Sequence, residues 1–260
     1  MAQAQPQSQP HSAQAPAHWA LDPLTGGLAG GDEAGRRAFL RMVSHELRTP
    51  LNSIIGFAEL MRSEPYGPLA PAYAEYAGII RDSGAKLLTL FNNFIEIMRL
   101  EGGSHGYEPM VEPVLPALEE AAGKLRTAAR ARGIDLDIRT HDDRICALYD
   151  PRGLAACLDH LLRNAIDFTA EGETIELDAR PDGAYIDISV FNRGDAPDPA
   201  QIERLMRPFE QGDDTLTRTR EGAGLGWAIV RLNAQAMGGL FTVASRKGES
   251  LCASVRLRRI

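Results

Sequence analysis

His45 and Glu46 stand side by side in the stretch Phe39-Leu-Arg-Met-Val-Ser-His-Glu-Leu-Arg-Thr-Pro-Leu-Asn52. A histidine that accepts a group needs one ring nitrogen with a free lone pair. The opposite nitrogen must carry the proton, and a neighbour must hold or take it. Glu46 supplies a carboxylate for that task. The pattern around the pair is helical. At about 100° per residue, Leu40, Val43, Leu47, Leu51, Ile54, Ala58 and Met61 make one apolar stripe, and His45 falls about 160° from its centre. Thr49 and Asn52 lie about 40° and 20° around the helix from His45, so all three share one solvent-facing side. Taken alone, an exposed helical histidine is ordinarily a solvated side chain. Glu46 alone reads as a solvated carboxylate, and Thr49 as a hydroxyl that steadies the turn before Pro50.

A second group of residues suits phosphate. In Glu221-Gly-Ala-Gly-Leu-Gly-Trp-Ala-Ile229 the glycines Gly222, Gly224 and Gly226 precede an apolar helical run. Glycines there let backbone amides turn towards an anion at a helix N-terminus. A glycine run by itself is weak evidence.

Together with the segments between them, these stretches resemble the bacterial sensor histidine kinases of the HisKA type, over about residues 36–260. Ser44-His-Glu-Leu-Arg-Thr-Pro-Leu51 is similar to their phosphoacceptor box. His160-Leu-Leu-Arg-Asn-Ala-Ile-Asp-Phe-Thr169 is similar to the asparagine box, and Phe191-Asn-Arg-Gly-Asp-Ala-Pro197 occupies the place of the first glycine box. Arg207-Pro-Phe-Glu-Gln211 resembles the phenylalanine box, and Glu221 to Ile229 the second glycine box. The run Ile55 to Ser63 leading into Tyr66-Gly-Pro-Leu69 is similar to the alphaproteobacterial cell-cycle and developmental kinases.

The resemblance implies roles. His45 would be the phosphoacceptor, Glu46 the general base, and Thr49 the residue that orients water for removing phosphate from a response regulator. Asn164 would hold Mg²⁺ against the phosphates of ATP; a hard cation takes its carbonyl oxygen without added charge. Asn192, Gly194, Phe209, Gly222, Gly224, Leu225 and Gly226 would contact the nucleotide, and Arg218 and Arg220 could meet its phosphates from a lid. The partners implied are a second copy of the chain and a receiver domain. The chain departs from the pattern at several positions. Asn192 replaces an aspartate that accepts from the adenine amino group, Ala196 a glycine, Asp167 a basic residue, and His160 a frequent asparagine. Lys247-Gly-Glu-Ser-Leu251 departs from a usual glycine-threonine pair. Asparagine keeps an acceptor oxygen but loses charge assistance, and a carboxylate at 167 should repel triphosphate unless metal intervenes. The departures leave two readings open. One is an ATP-dependent kinase that phosphorylates His45 and passes the phosphoryl group to a regulator aspartate, with phosphatase activity. The other is a degenerate kinase that binds regulators as a phosphatase or phosphotransfer scaffold.

Composition narrows the classes. A net charge of −7 over 260 residues argues against a nucleic-acid surface. No apolar run approaches the roughly 20 residues of a membrane span, and the start lacks a signal-peptide pattern, so a cytoplasmic location is expected. Cys146, Cys157 and Cys252 lack metal-ligand or disulfide spacing.

The elements that must position these residues follow from periodicity. Residues 1–32, rich in Gln, Ala, Pro, Ser and Gly, are expected to be a disordered tail. Residues 33–103 should form a helical hairpin for dimerisation and phosphotransfer, with helices at about 33–63, bent by Pro50, and 72–101. The seam of the second helix is Tyr73, Ala77, Ile80, Gly84, Leu87, Phe91, Phe94 and Met98. One hairpin cannot bury both faces, so a dimeric four-helix bundle is expected. Gly102-Gly-Ser-His-Gly106 reads as a hinge about which the second domain must swing to reach His45. Residues 108–260 should form an ATP-binding α/β two-layer sandwich of the GHKL type, giving an α+β chain. Its helices are expected at 114–132, 151–168 and 225–237. Its strands are expected near 134–138 and 146–149, in a hairpin at 175–179 and 186–190 turned by Pro181-Asp-Gly183, and at 240–244 and 251–257.

Overall fold

The structure is a computed structural model that describes residues 33–103, 105–140, 142, 144–208, 210 and 224–260. The expected tail, together with Phe209, Arg218, Arg220 and Gly222, lies outside the described residues. Two long helices, α1 (Glu33–Arg62) and α2 (Pro71–Glu101), pack along each other as a hairpin. Pro50 sits within α1, which continues past it as one helix. Pro71 opens α2 at a position where its missing N–H costs nothing. The helices come close at Gly84, where a Cβ would lie 2.9 Å from Cγ1 of Ile55.

The hairpin buries less than its sequence offers. Leu40, Ala58, Ala77 and Gly84 are buried between the helices. The expected seam of α2 splits: Ala77 and Gly84 face α1, whereas Tyr73, Ile80 and Leu87 stay exposed. Leu47, Ile54 and Met61 of the α1 stripe are exposed as well. A heptad seam is wider than one neighbouring helix can cover, which leaves an apolar face along one side of the hairpin.

The second part follows in the order β1 (Met110–Pro113), α3 (Val114–Arg130), β2 (Asp135–Thr140), β3 (Cys146–Tyr149), α4 (Pro151–Phe168), β4 (Thr174–Asp182) and β5 (Tyr185–Arg193). After a 3-10 turn at Pro199–Gln201 come α5 (Ile202–Leu205), α6 (Gly226–Ala236), β6 (Leu240–Arg246) and β7 (Ser250–Arg259). The strands form one seven-stranded sheet, β1-β3-β7-β5-β4-β2, with β6 also paired to β7. Its pairings are antiparallel except β2 with β4. One face carries α3, α4 and α6 over a core that includes Leu118, Leu158, Leu162, Leu177, Ile188 and Leu257. The opposite face is polar and laced with ion pairs, such as Arg256 with Asp187 (2.6 Å) and Arg139 with Glu176 (2.8 Å).

Most element ends fall within a few residues of the periodic pattern. Strand β1 and the helical segment 199–205 had no periodic signal because both are short. The β4–β5 turn lies later than expected: Pro181 and Asp182 still pair with Ile186 and Tyr185. β2 ends opposite Ala179, so Pro181 has no strand on its other side and its missing N–H breaks no ladder.

The link between the two parts is fastened at one end. Asp150 caps α4, accepting from the backbone N–H of Arg152 and of Glu108, both at 2.9 Å. The Arg152 guanidinium bonds the same carboxylate at 2.8 Å and donates to the Gly106 carbonyl at 2.7 Å. That guanidinium holds the Asp150 carboxyl well below the usual carboxylate range, against the opposing effect of burial. From Gly106 onward the link therefore belongs to the sheet domain.

Candidate functional site

His45 lies on the exposed side of α1 with its side chain 81% exposed, as its angle from the apolar stripe requires. Its Nδ1 is 3.5 Å from Oε1 of Glu46. This places the carboxylate beside Nδ1 and leaves Nε2 as the open nitrogen. The Thr49 hydroxyl donates to the His45 carbonyl at 3.1 Å, one turn back along the helix. Its oxygen keeps lone pairs towards solvent and can still accept from water. A cleft of about 320 Å³ opens beside His45, between the two helices.

The sheet domain gathers a second set of residues around the end of α4. Asn192 continues the inward row Ile186, Ile188 and Val190 of β5, so strand alternation turns it towards the helices. It is 2% exposed, and its carboxamide bonds no described residue. Gly194 follows with φ +149°, and a Cβ there would collide with the Phe168 carbonyl oxygen. The Asp195 N–H donates to that same oxygen at 3.1 Å, which fixes the loop to the end of α4. The loop is tied on its other side to the β6–β7 turn, by Gly194 N–H to the Glu249 carbonyl and Gly248 N–H to the Ala196 carbonyl. Asn164 is half-buried on α4.

Gly224 has φ +66°, and a Cβ would collide with the Glu210 carbonyl oxygen. Only glycine permits both that backbone and that approach. Glu210 and Gly224, which flank residues 211–223, are therefore in backbone contact. Gly226 opens α6, and His160 faces it: a Cβ on Gly226 would be 3.8 Å from Nδ1 of His160.

Two residues have surroundings that the periodic pattern did not show. Leu225, expected at the nucleotide, is 2% exposed and packs with Ile97, Ala228 and Ile229. Ile97 is on α2, so the Leu225 side chain also serves the contact between the hairpin and the sheet domain. Asp167, expected to repel triphosphate unless metal intervenes, is paired with Arg132 at 2.8 Å, and the partner offsets part of its charge.

The contact between hairpin and sheet domain contains polar residues that the sequence did not mark. Asn233 of α6 donates from Nδ2 to Oε1 of Glu96 on α2, and to the Ile229 carbonyl, both at 3.0 Å. The Tyr107 hydroxyl donates to Oδ1 of Asn233 at 2.5 Å. His160 Nε2 stands 4.0 Å from Oε2 of Glu96, an electrostatic separation beyond hydrogen-bond length. Burial acts to raise the Glu96 carboxyl, but the neighbouring His160 imidazole and the hydrogen bond from Asn233 outweigh it and the net shift is down. Burial and the charge of Glu96 push the Tyr107 hydroxyl up to about 12. The available signal was a carboxylate inside the apolar run Phe94-Ile-Glu-Ile-Met98.

Comparison with known proteins fits this geometry. Residues 35–103 match the His Kinase A (phospho-acceptor) domain. Residues 149–259 match the histidine kinase-, DNA gyrase B- and HSP90-like ATPase domain. The chain is 37% identical over 224 residues to histidine protein kinase DivJ of Caulobacter vibrioides, covering 86% of this chain and 37% of that protein. It is 35% identical over 225 residues to sensor protein TorS of Escherichia coli, covering 85% of this chain and 24% of that protein. Among solved structures, full-length ShkA in complex with AMPPNP aligns with a TM-score of 0.68 at 28% identity, over 86% of this chain and 46% of that one. The chain belongs to the histidine kinases, with a phosphoacceptor helical hairpin followed by a GHKL-type ATPase domain. It spans about two fifths or less of the length of the curated relatives described. Among the described residues, no helix is long and apolar enough to cross a membrane.

Proposed function

We propose that this chain is the catalytic core of a two-component sensor kinase that phosphorylates itself on His45 and passes the phosphoryl group to an aspartate of a response regulator. The observation that carries the reading is the His45–Glu46 pair. A solvent-facing imidazole has a carboxylate beside Nδ1 and an open Nε2, in a chain that also has an ATPase domain. Nε2 attacks the γ-phosphorus of ATP while Glu46 holds the Nδ1 proton, and ADP departs with the electron pair of the broken P–O bond. Thr49 then orients water for dephosphorylating the regulator.

In the ATPase domain, Asn192 accepts from the adenine amino group, and the backbones of Gly194, Gly222, Gly224 and Gly226 approach the nucleotide. Among the described residues there is no cluster of three or more His, Cys, Asp or Glu suited to a metal. The donor set fits Mg²⁺ held by the carbonyl oxygen of Asn164 together with phosphate oxygens and water, where it would neutralise phosphate charge. The apolar side of the hairpin supports a homodimer, since Leu47, Ile54 and Leu87 stay exposed among the described residues.

The docked contact through Leu225 and Glu96 must loosen for the ATPase domain to present ATP to His45. A second reading, a degenerate scaffold or phosphatase, is favoured by buried Ala196 and Asn192 at positions where the family pattern has glycine and aspartate. Incubation with γ-labelled ATP and Mg²⁺ separates the two. Acid-labile, base-stable label that disappears in His45→Ala supports the kinase; no label in the intact protein supports the scaffold.

A further inference from the structure

The cleft beside His45 is cationic. Arg41 and Arg48 of α1 and Arg99 of α2 line it with the Ser44 hydroxyl, and among the described residues no carboxylate does. On the helix, Arg41 and Arg48 lie about 40° and 60° to one side of His45, and Glu46 about 100° to the other. Glu46 is beside Nδ1, so the arginine side is the one left to Nε2. Arg48 is already oriented, donating to the Asn92 carboxamide oxygen at 3.0 Å and to Ser44 Oγ at 3.3 Å. The charge of Arg99 also acts on Glu96, but that carboxylate is bonded to Asn233 across the domain contact.

We infer that this cleft is a binding site for the phosphoryl group once it is bonded to Nε2 of His45, with Arg41 and Arg99 as its anion-binding residues. The inference rests on the proposed phosphorylation of His45. Transfer forms the N–P bond as the bond from the γ-phosphorus to the bridging oxygen breaks, and the product carries negative charge on its phosphoryl oxygens. Hydrolysis breaks the N–P bond as a water oxygen bonds phosphorus, and the imidazole nitrogen regains a proton. Negative charge on the oxygens helps expel the imidazole. Guanidinium groups that bind those oxygens draw that charge away and hold the group against water. The cleft would lengthen the life of the phosphorylated histidine until a receiver domain arrives.

The test follows loss of label from the full chain after phosphorylation with γ-labelled ATP and removal of nucleotide. Arg41→Ala and Arg99→Ala should each lose label at least threefold faster than the unaltered protein, with Arg41→Lys intermediate. Arg81→Ala should match the unaltered protein, because Arg81 is paired elsewhere on the hairpin with Asp82 and Glu59. Circular dichroism checks that the variants fold. Equal decay in all variants would overturn the inference. So would slower labelling with unchanged decay, which would assign the arginines to incoming ATP instead. If ATP leaves the unaltered protein unlabelled, the kinase reading fails, and phosphoramidate, a direct phosphodonor to imidazole, supplies the same decay comparison. Label from neither donor overturns both.

Discussion

Asn233 on α6 donates to Glu96 on α2 at 3.0 Å and accepts from Tyr107 at 2.5 Å, so one carboxamide joins the hairpin, the link and the ATPase domain. Asn233 is fully buried, and every bond it makes is needed to offset its desolvation. Asn233→Ala leaves Glu96 and Tyr107 without this partner. The expected cost is about 1–3 kcal/mol in urea unfolding. A cost near zero would mean that water replaces the amide readily.

The same contact should respond to acid. Glu96 is held below its ordinary value of 4.5, despite burial, by the neighbouring His160 and the hydrogen bond from Asn233. A carboxylate with a lowered value in the docked form stabilises docking fully above its ordinary value. That stabilisation is lost as pH falls through the lowered one. Energy transfer between dyes on α1 and α3 should therefore report docking at neutral pH and release as pH falls below the ordinary Glu96 value of 4.5. Glu96→Gln should remove that acid dependence. An unchanged profile in the variant would assign release to other groups.

His45→Ala should abolish phosphorylation with no measurable loss of stability, because the side chain is 81% exposed and its ion-pair partner Glu46 is exposed too. Label persisting elsewhere in the variant, or unfolding of it, would contradict the assignment. Thr49→Ala should retain autophosphorylation while losing phosphatase activity towards the regulator. The hydroxyl bond lost to the His45 carbonyl is exposed and worth about 1 kcal/mol or less. Equal dephosphorylation rates would remove Thr49 from the water-orienting role.

Gly194→Ala should damage the ATPase domain. The new methyl would run into the Phe168 carbonyl oxygen, on a backbone at φ +149°. Neither the end of α4 nor the β6–β7 turn can yield without breaking the bonds that tie them to this loop. A loss of about 2 kcal/mol or more is expected in urea unfolding, with weaker ATP binding. Unchanged stability would show that the loop can shift as a unit.

Long helices and alternating strands were legible because their periods repeat many times. The exposed place of His45 followed from its angle alone, and Asn192 shares the alternation that buries Ile186, Ile188 and Val190. What was not legible depends on which surfaces meet. Leu225 reads only as part of a phosphate loop, and nothing in its segment says that Ile97 packs against it. Asp167 reads as an obstacle to triphosphate until Arg132, 35 residues away in sequence, is found bonded to it. Glu96 looks like any helical carboxylate until α6 brings Asn233 across. Pairings between distant segments leave no period in the chain.

Asn192 carries the last and most specific prediction. Its carboxamide bonds no described residue and is almost fully buried, facing the helix layer where nucleotide is proposed to bind. A carboxylate there would accept a stronger hydrogen bond from the adenine amino group, by roughly 1 kcal/mol, so Asn192→Asp should tighten ATP binding about fivefold. Burial gives the substitution a second consequence. Without nucleotide the new carboxylate is desolvated and unpaired, which raises its pKa and lowers stability at neutral pH. The loss should shrink as pH falls and the group becomes protonated, and should shrink again when ATP is added. Calorimetry of ATP binding and thermal unfolding across pH, with and without ATP, measures both effects. Weaker binding in the variant would mean that the pocket is built around the amide, and the scaffold reading would gain.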